Sequence, residues 1–435
     1  MRAAFYTLGC KVNQYETQAL ADLFMADGFE ITEHDDIADV YVINSCTVTS
    51  SGDKKTRQIM HRFKRQNPNA IIALTGCFPQ AFPDAAEKLP EADVITGSAE
   101  RTRLLPLVKQ CLANGGQRVV EILPHSRQEE FEPLKIQRFS ERTRAFVKIQ
   151  DGCERYCSYC IIPYARGFVR SKKPADLLME LTGLAQAGYK EVVLVGINLS
   201  TYGKELGLRL VDAVELACSV EGIQRVRLGS IEPDLITDED ISRMAAQPKF
   251  CPQFHLALQS GCDATLDRMN RHYHTADFRD LVERIRRIFD NSSITTDIMV
   301  GFAGETPEEF AQSLDFSREI AFAKAHVFAY SVREGTRAAR FPGQLSNKVK
   351  EERSHQMIAV TDQTRREFLA SQVGRTEEVL FESHVTDGVY TGYTPNYTPV
   401  QVASSEDLRG TIRPVKILSS NGEFCQGELS AAVTV

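Results

Sequence analysis

Three cysteines, Cys153, Cys157 and Cys160, stand close together in the stretch RAFVKIQDGCERYCSYCIIPYARG, which runs from residue 144 to residue 167. A structural zinc site needs four protein ligands, and no fourth cysteine or histidine stands nearby at ligand spacing. A four-iron cluster held by three thiolates keeps one iron free to bind a further group. The spacing therefore favours a reactive iron-sulfur cluster over a structural metal site.

A second set of three cysteines closes three apolar runs in the first third of the chain. Cys10 ends RAAFYTLGC, Cys46 ends ADVYVINSC and Cys77 ends AIIALTGC. If these runs are parallel strands, their carboxyl ends meet at one edge, which is where open α/β sheets bind ligands. The alternative is that each thiol is a small buried residue that closes its strand. Three equivalent positions favour a shared ligand.

The composition is that of a globular protein of several domains, with 435 residues, 43% hydrophobic residues and a formal charge of −7. No apolar run approaches the roughly 20 residues that a membrane span requires, and the amino terminus turns polar too soon for a signal peptide. We therefore expect a cytoplasmic protein, whose thiols stay reduced or bind metal. The cysteines outside the two sets are expected to be packing residues: Cys111, Cys218, Cys251, Cys262 and Cys425.

The elements that must position the six cysteines follow an α/β pattern. Residues 1–117 alternate buried strands with amphipathic helices, which predicts a doubly wound parallel sheet. Residues 118–143 mix charges with two prolines and are predicted to be a linker. Residues 144–370 contain six strand and helix units and a charged connecting helix, which predicts a partial (βα)6 barrel with its active groups at the strand ends. Short β runs in residues 371–435 predict a small all-β barrel.

The CxxxCxxC motif, with Tyr159 before its last cysteine and a barrel strand ahead of it, resembles the radical S-adenosylmethionine superfamily. The resemblance implies that the free iron binds the amino and carboxylate groups of S-adenosylmethionine, and that reduction yields a 5′-deoxyadenosyl radical. Polar side chains at the strand ends suit the cofactor, and glycines allow a close approach to its adenine. The predicted cofactor-binding residues are Tyr159, Asn198, Ser230, Glu232, Gln259, Gly301 and Gly304.

The two halves together resemble the methylthiotransferase family along nearly the whole chain. The motifs are LGCKVNQYE, INSCTVT and LTGC, followed by DGCERYCSYCIIPYARG and a short β tail. The resemblance implies two [4Fe–4S] clusters, an auxiliary one on Cys10, Cys46 and Cys77 and a radical one on Cys153, Cys157 and Cys160. It also implies a TRAM domain as the RNA-binding tail, one S-adenosylmethionine as methyl donor and a second as radical source. An electron donor such as flavodoxin or ferredoxin is implied as a partner, and a monomer is the default expectation.

Within this family, LGCKVNQYET together with GSIEP is most similar to the branch that modifies N6-threonylcarbamoyladenosine at position 37 of tRNA. The substrate implied is the anticodon loop of tRNAs that decode ANN codons. The isopentenyladenosine branch usually has GCQMN at the first cysteine, and the branch that modifies an aspartate of a ribosomal protein has LGCxKN. Both remain alternatives. So do another radical product, such as sulfur insertion or plain methylation, and a metal-stabilised RNA-binding protein without catalysis.

Basic residues just beyond the predicted strand ends suggest a path for RNA phosphates, although solvated helix faces explain most basic runs. The predicted RNA contacts are Arg166, Arg170, Lys172, Arg271, Arg375 and Arg413. Residues 372–435 hold only four Lys or Arg against eight Asp or Glu, so the tail is a weak electrostatic partner for RNA. Its candidate side chains for one RNA-facing surface include Arg409 and Lys416, with Tyr390, Tyr393 and Tyr397 for base stacking.

Overall fold

The computed structural model describes residues 1–132, 134, 136, 143–386 and 388–430. Its amino-terminal unit is a parallel sheet in the order β2-β1-β3-β4-β5-β6. The strands are β1 (Arg2–Thr7), β2 (Glu30–Thr32), β3 (Val40–Ser45), β4 (Ile71–Gly76), β5 (Val94–Thr96) and β6 (Val119–Glu121). The helices are α1 (Lys11–Ala26), α2 (Ser50–Gln66), α3 (Cys77–Ala81), α4 (Pro83–Glu87) and α5 (Leu104–Ala113). The predicted doubly wound sheet is confirmed.

Alternating residues of the central strands explain why helices cover both faces of this sheet. Tyr41 and Ile43 of β3 pack with Phe63 of α2 on one face. Val40 and Val42 of the same strand pack with residues of α1 and α5 on the other. All six residues of both β3 and β4 are buried, as the continuous apolar runs predict.

The sheet extends further along the chain than the predicted first domain. Strand β6 pairs in parallel with β5, although its residues lie in the segment predicted as a linker. Residues 133, 135 and 137–142 of that linker lie outside the described residues.

The central unit is an open parallel barrel with a separate antiparallel pair of short strands, β8 (Gln150–Asp151) and β9 (Arg170–Ser171). The barrel strands are β7 (Arg144–Lys148), β10 (Glu191–Val195), β11 (Arg225–Leu228), β12 (Ser230–Ile231), β13 (Gln253–Leu256), β14 (Ser293–Val300) and β15 (Lys324–Ala329). The helices are α6 (Ile162–Arg166), α7 (Pro174–Gln186), α8 (Leu210–Ser219), α9 (Asp238–Ala245), α10 (Asp263–Arg268), α11 (Thr275–Ile288), α12 (Pro307–Ile320) and α13 (Asn347–Ser371).

Two sheets, β11-β10-β7 and β12-β13-β14-β15, make up this barrel. Only Gly229 separates β11 from β12, and its N–H bonds to the Leu194 carbonyl at 2.8 Å, so the two short strands continue one another. Counted in this way, the wall has the six parallel strands that the sequence predicts, and the partial (βα)6 barrel is confirmed.

The carboxyl-terminal unit is a closed barrel in the order β16-β17-β18-β20-β19. Its strands are β16 (Thr376–Thr386), β17 (Val389–Tyr393), β18 (Pro399–Ala403), β19 (Ile412–Ser420) and β20 (Cys425–Leu429). Val379, Phe381, Val400 and Val415 fill its core together with Leu369 from the end of α13. This closed five-stranded barrel is consistent with the predicted TRAM domain. Among the described residues, no helix is long and apolar enough to cross a membrane.

Candidate active site

The auxiliary cysteines follow three neighbouring strands of the amino-terminal sheet. Cys10 precedes α1, Cys46 follows β3, and Cys77 is the first residue of α3, directly after β4. The chain at Gly9 has a φ of +117°, and a Cβ there would lie 3.2 Å from the Sγ of Cys46. Glycine at this position therefore lets the first two cysteine loops approach closely. The structure brings Cys10, Cys46 and Cys77 to one edge of the sheet.

The three auxiliary thiols differ in exposure. Cys10 is exposed, Cys46 is half-buried and Cys77 is buried. Burial, together with the neighbouring Cys77 and Cys10, raises the pKa of the Cys46 thiol to about 12. Because only thiolates ligate iron, metal binding at this edge must release protons.

The radical-cluster cysteines lie in a loop that begins where β8 ends. The Cys153 N–H donates to the Gly167 carbonyl, and the Cys160 N–H donates to the Cys157 carbonyl, each at 3.0 Å. Gly152 has a φ of +77°, and a Cβ there would lie 1.8 Å from the carbonyl oxygen of Phe168. Only glycine fits this position, so the path of the chain into the loop depends on it.

Two polar side chains contact the sulfur atoms of this loop. Arg271 donates from Nη1 to the Cys157 Sγ at 3.2 Å and also pairs with Glu232. Asn198 donates from Nδ2 to the Cys153 Sγ at 3.9 Å. Burial raises the pKa of the Cys153 thiol to about 11. The loop thus presents three thiols with hydrogen-bond donors already directed at two of them.

The donor sets fit the predicted iron-sulfur clusters. Each set supplies three thiols, and within the described ranges no group of His, Cys, Asp and Glu is spaced to hold a single metal ion. A cubane cluster holds each thiolate on a different iron, so it accepts wider spacing than one zinc ion does. The buried Oδ1 of Asn198 has no hydrogen-bond partner among the described residues. A polar cofactor beside Cys153 would satisfy it.

The predicted cofactor residues are spread along the rim of the barrel at the ends of its strands. Ser230 is exposed, and Glu232 follows it as the partner of Arg271. Gln259 has a φ of +69°, and its backbone pairs with Asp297 and Met299 of β14. The ring centroid of Tyr159 lies 6.2 Å from that of Phe302. These residues remain predicted contacts of S-adenosylmethionine.

Two predicted cofactor glycines have another explanation. A Cβ at Gly301 would lie 2.5 Å from the Cγ of Lys350 in α13, and the Gly304 N–H donates to the Gly343 carbonyl at 2.9 Å. The sequence predicted that these glycines allow the cofactor adenine to approach the backbone closely. In the structure, Lys350 of α13 approaches Gly301, and the backbone at Gly343 approaches Gly304. Packing accounts for Gly301, and a φ of +74° accounts for glycine at position 304. Both remain predicted contacts of S-adenosylmethionine.

Three of the predicted RNA contacts are wrong, because their side chains are buried. Arg166, Arg170 and Lys172 are 0%, 5% and 2% exposed. Arg166 pairs with Glu16, Arg170 pairs with Glu129, and Lys172 pairs with Glu180. A basic side chain that follows a strand end can fold back onto a buried carboxylate instead of reaching solvent. Arg166 and Lys172 also contact the amino-terminal unit, through Glu16 and the Tyr15 hydroxyl.

Arg271 is also wrong as an RNA contact, since its side chain is only 3% exposed and donates to Cys157. Arg375 and Arg413 remain candidates, with side chains 41% and 46% exposed. Each forms a surface ion pair, Arg375 with Asp290 and Arg413 with Glu406.

Two of the tyrosines proposed for base stacking lie at a domain junction instead. Tyr393 and Tyr397 stack on each other with ring centroids 4.4 Å apart. The Arg144 guanidinium lies 4.9 Å from the Tyr397 ring centroid, and that of Arg227 lies 4.8 Å from it. The ring faces of Tyr393 and Tyr397 are therefore occupied by each other and by arginines of the central barrel. Tyr390 packs partly buried against the core of the closed barrel.

The central barrel contains a polar group that was not predicted from the sequence, which we call the lumen group. Phe254 and Leu256 of β13 point to one face of the barrel wall and pack in the hydrophobic core. His255, which lies between them, therefore points to the opposite face, towards the barrel lumen. The His255 Nδ1 lies 3.0 Å from the Thr295 Oγ1, and its Nε2 lies 3.4 Å from the Asp297 Oδ2. The lumen group consists of Lys11, His255, Thr295, Asp297 and His326.

Lys11 enters this group from the amino-terminal unit. It follows Cys10, and its Nζ lies 5.9 Å from the ring centroid of Phe146. Lys11 reaches solvent, yet burial together with Arg144 and Arg227 lowers its pKa to about 8. Burial alone would raise the pKa of Asp297, but a hydrogen bond from His255 and the charges of His326 and Lys11 lower it. Polar residues at alternate positions of HLALQ and TTDIMV could have indicated the lumen group from the sequence.

The open barrel with a three-cysteine loop after its first strand defines a radical S-adenosylmethionine protein. Residues 147–317 match the Radical SAM superfamily. The solved structure of the radical S-adenosylmethionine methyltransferase TsrM from Kitasatospora setae is similar in fold, with a TM-score of 0.56 and 14% identity over 75% of this chain and 72% of that one.

The amino-terminal unit and the full length narrow the class further. Residues 2–97 match the family described as Uncharacterized protein family UPF0004. The protein named threonylcarbamoyladenosine tRNA methylthiotransferase MtaB from Bacillus subtilis (strain 168) is 39% identical over 99% of this chain and 96% of its own length. The protein of the same name from Thermotoga maritima is 36% identical over 97% of this chain and 96% of its own length. The tRNA-2-methylthio-N(6)-dimethylallyladenosine synthase of Pelotomaculum thermopropionicum is 35% identical over 97% and 96%.

The chain belongs to the radical S-adenosylmethionine methylthiotransferase family. It is an enzyme of this type. Two [4Fe–4S] clusters and S-adenosylmethionine, the predicted cofactors, are confirmed by this membership. The assignment of individual residues to each cofactor remains a prediction.

Proposed function

We propose that this enzyme adds a methylthio group to C2 of N6-threonylcarbamoyladenosine at position 37 of tRNA. The observation that carries the proposal is a direct contact between the segment after the radical-cluster loop and one auxiliary cysteine. Helix α6 begins just after the radical-cluster cysteines, and its last residue, Arg166, contacts Cys77. Lys11 follows Cys10, the first auxiliary cysteine, and joins the lumen group. The nucleoside is proposed to enter between these sites.

Charge supports the threonylcarbamoyl branch. The threonyl group carries a carboxylate at neutral pH, whereas an isopentenyl group is apolar. Lys11 supplies an accessible cation at the lumen, with Arg144 and Arg227 close enough to influence it. A polar, partly solvated interior suits a charged substrate side chain better than an alkenyl one.

The relatives support the same branch. Those named threonylcarbamoyladenosine tRNA methylthiotransferase are 36% to 39% identical to this chain. Those named tRNA-2-methylthio-N(6)-dimethylallyladenosine synthase are 33% to 35% identical. Because these ranges lie close together, the dimethylallyl nucleoside is the second candidate substrate.

The residues have separate proposed roles. Cys10, Cys46 and Cys77 would hold the auxiliary cluster, and Cys153, Cys157 and Cys160 the radical cluster. When bound, the clusters and S-adenosylmethionine supply the sulfur, the methyl group and the radical chemistry. Asn198 would satisfy its free Oδ1 on the cofactor, and Arg271 holds the Cys157 loop through its bond to Sγ.

The partners are proposed on the same basis. The RNA partner is the anticodon loop of tRNAs that decode ANN codons, contacted by exposed side chains such as Arg375 and Arg413. The electron donor is a flavodoxin or ferredoxin, and the working unit is a monomer. Tyr156 in the radical-cluster loop and Tyr164 in α6 are exposed, so the surface beside that cluster is open to a protein donor.

The test is a reaction of the anaerobically reconstituted enzyme with tRNA from cells that lack methylthiolation. With S-adenosylmethionine and a reductant, the digested tRNA is expected to contain 2-methylthio-N6-threonylcarbamoyladenosine, and the enzyme about 8 irons per chain. The matched control replaces Cys153, Cys157 and Cys160 by alanine, which should abolish 5′-deoxyadenosine and product together. Methylthiolation of isopentenyladenosine instead would refute the proposed substrate.

A further inference from the structure

The Arg166 side chain connects the two cysteine loops through the protein interior. It is the last residue of α6, the helix that follows the radical-cluster loop, and it is fully buried. Its Nε donates to the Cys77 Sγ at 3.2 Å, and its Nη2 donates to the Asn13 Oδ1 at 2.6 Å. Both guanidinium Nη atoms also bond to the carboxylate of Glu16. Every nitrogen of this side chain is therefore engaged with the amino-terminal unit.

A network of cations and carboxylates surrounds this contact. Four basic side chains in it are at most 6% exposed: Arg101, Lys148, Arg166 and Arg170. Glu16 and Asp151 are the acids buried to the same degree, while Glu129 and Glu132 lie nearer the surface at 17% and 13%. Charges in a low-dielectric interior require partners nearby, and the four carboxylates are paired with these cations. The sulfur of Cys77 lies within hydrogen-bond distance of one of the cations, Arg166.

Arg166 differs from the other cations of the network in its contact with sulfur. Lys148 bonds to Glu16 and Asp151, and Arg170 pairs with Glu129 and Asp151. Hydrogen bonds to cluster sulfurs and the net charge around a cluster set its reduction potential. A charge-assisted N–H donor stabilises an added electron more than a neutral donor does.

We propose that Arg166 is a positioning residue that raises the reduction potential of the auxiliary cluster by donating to the Cys77 sulfur. The relevant step is the gain of one electron by that cluster, supplied in the test by dithionite. The Cys77 loop and the radical-cluster loop are also held in one arrangement, because the same side chain begins on α6 and ends on α3. The inference concerns the cluster alone and holds for either candidate nucleoside.

The test is a potentiometric titration followed by EPR on the full chain. Cys153, Cys157 and Cys160 are replaced by alanine in every sample, so that about 4 irons per chain belong to the auxiliary cluster. The reference is the midpoint potential of the chain that carries only the three alanine replacements. At that potential, Arg166→Gln should lower the ratio of reduced to oxidised cluster about tenfold, which corresponds to a downward shift of 59 mV for a one-electron couple. Arg166→Lys, which keeps the charge but loses the planar donor, should lower the ratio less.

Lys148→Gln is the matched control, since it removes one buried cation from the same carboxylates without touching a cysteine. It should lower the ratio less than threefold. Glu16→Gln should raise the ratio, because it removes a negative charge from the same guanidinium. Equal shifts in Arg166→Gln and Lys148→Gln, or an unchanged potential in Arg166→Gln, would overturn the proposal. If Arg166→Gln does not retain its cluster, the other two variants decide the outcome. The proposal is overturned if Arg166→Lys and Glu16→Gln shift the reduction potential in the same direction, because opposite directions are expected.

Discussion

Arg227 of the central barrel donates a hydrogen bond from Nη1 to the carbonyl oxygen of Pro395 in the carboxyl-terminal barrel, at 2.8 Å. The neighbouring Arg225 donates to the carbonyls of Glu378 and Tyr393 at 2.7 and 3.0 Å. Glu191 lies beneath them and accepts from the Arg227 Nε at 2.9 Å. Two guanidinium groups at one end of the central barrel thus satisfy backbone carbonyls that docking removes from water. The carboxyl-terminal barrel is held by this contact as well as by its covalent connection to α13.

The first prediction concerns this domain junction. Arg227→Gln leaves the buried Glu191 with weaker partners and the Pro395 carbonyl without its donor, so the docked state should lose about 3 kcal/mol. Trypsin should then cut faster after Arg375, in the connection between α13 and β16. Arg413→Ala, which removes an exposed arginine of the same barrel, is the control and should leave the cleavage rate unchanged. Equal rates in both variants would show that the arginine contact does not secure the domain.

The second prediction concerns the entry to the radical-cluster loop. Gly152→Ala places a Cβ 1.8 Å from the Phe168 carbonyl oxygen at a φ of +77°, so the backbone must shift and the three thiols with it. Reconstituted iron should fall from about 8 to about 4 per chain, with loss of 5′-deoxyadenosine formation. Gly188→Ala is the matched control, because Gly188 has a φ of +92° but open space around the missing Cβ. A full complement of iron in Gly152→Ala would contradict the expectation.

The third prediction concerns Lys11 in the lumen group. If this ammonium group meets the substrate carboxylate, Lys11→Met should lower kcat/KM for tRNA bearing threonylcarbamoyladenosine about tenfold to a hundredfold, and Lys11→Arg should lower it less. Iron content should stay at the wild-type level. Lys109→Met, at an exposed lysine paired with Asp27, serves as the control. A variant with full iron and unchanged kcat/KM would exclude Lys11 from substrate recognition.

The fourth prediction concerns pH and the buried carboxylate of Glu16. Burial alone would raise its pKa, but Arg101, Arg166 and Lys148 lower it to about 2. The folded pKa is thus below the unfolded value, so the stabilisation is complete above about pH 5 and is lost as the pH falls towards 2. Between pH 6 and pH 3 the loss is about 2 kcal/mol.

Glu16→Gln isolates this contribution from the other carboxyl groups. Its thermal midpoint should lie below that of the wild type at pH 6, because buried cations lose a partner. The gap should narrow as the pH is lowered to 3, because the carboxyl group of the unfolded wild-type chain gains its proton in this range while the folded one keeps its charge. A gap that stays constant across this range would show that Glu16 titrates alike in the folded and unfolded chains.

The fifth prediction concerns RNA binding by the carboxyl-terminal barrel. If Arg413 contacts a phosphate, Arg413→Ala should weaken tRNA binding and reduce the slope of log affinity against log salt by about 1. Lys416→Ala, at a lysine whose Nζ bonds to the Gly374 carbonyl on the same barrel, provides a comparison. Unchanged affinity and slope in Arg413→Ala would remove this residue from the RNA interface.

The common sheet edge of the three auxiliary cysteines could be predicted from the sequence, because it depends only on where the strands end. Cys10, Cys46 and Cys77 each follow a run that is apolar throughout, and a parallel sheet must bring such ends to one edge. The same logic failed for Arg166 and Arg271, which also stand beyond strands. Whether a long basic side chain points to solvent or folds back onto a carboxylate or a thiol depends on partners distant in the chain, such as Glu16, 150 residues away from Arg166.

The sequence by itself determined the family and the fold class of parallel sheet, partial barrel and closed barrel, because motifs and the alternation of strands and helices are local properties of the chain. The tertiary structure alone decided which charges are buried, which tyrosine rings are covered by other side chains and which polar residues face the barrel interior. Those outcomes depend on desolvation and on long-range pairing, as with the charge of Lys11, which lowers the pKa of Asp297, and with the contact of Arg166 with Cys77. The free energy of burying and pairing a charged group depends on neighbours that come together only when distant segments of the chain pack.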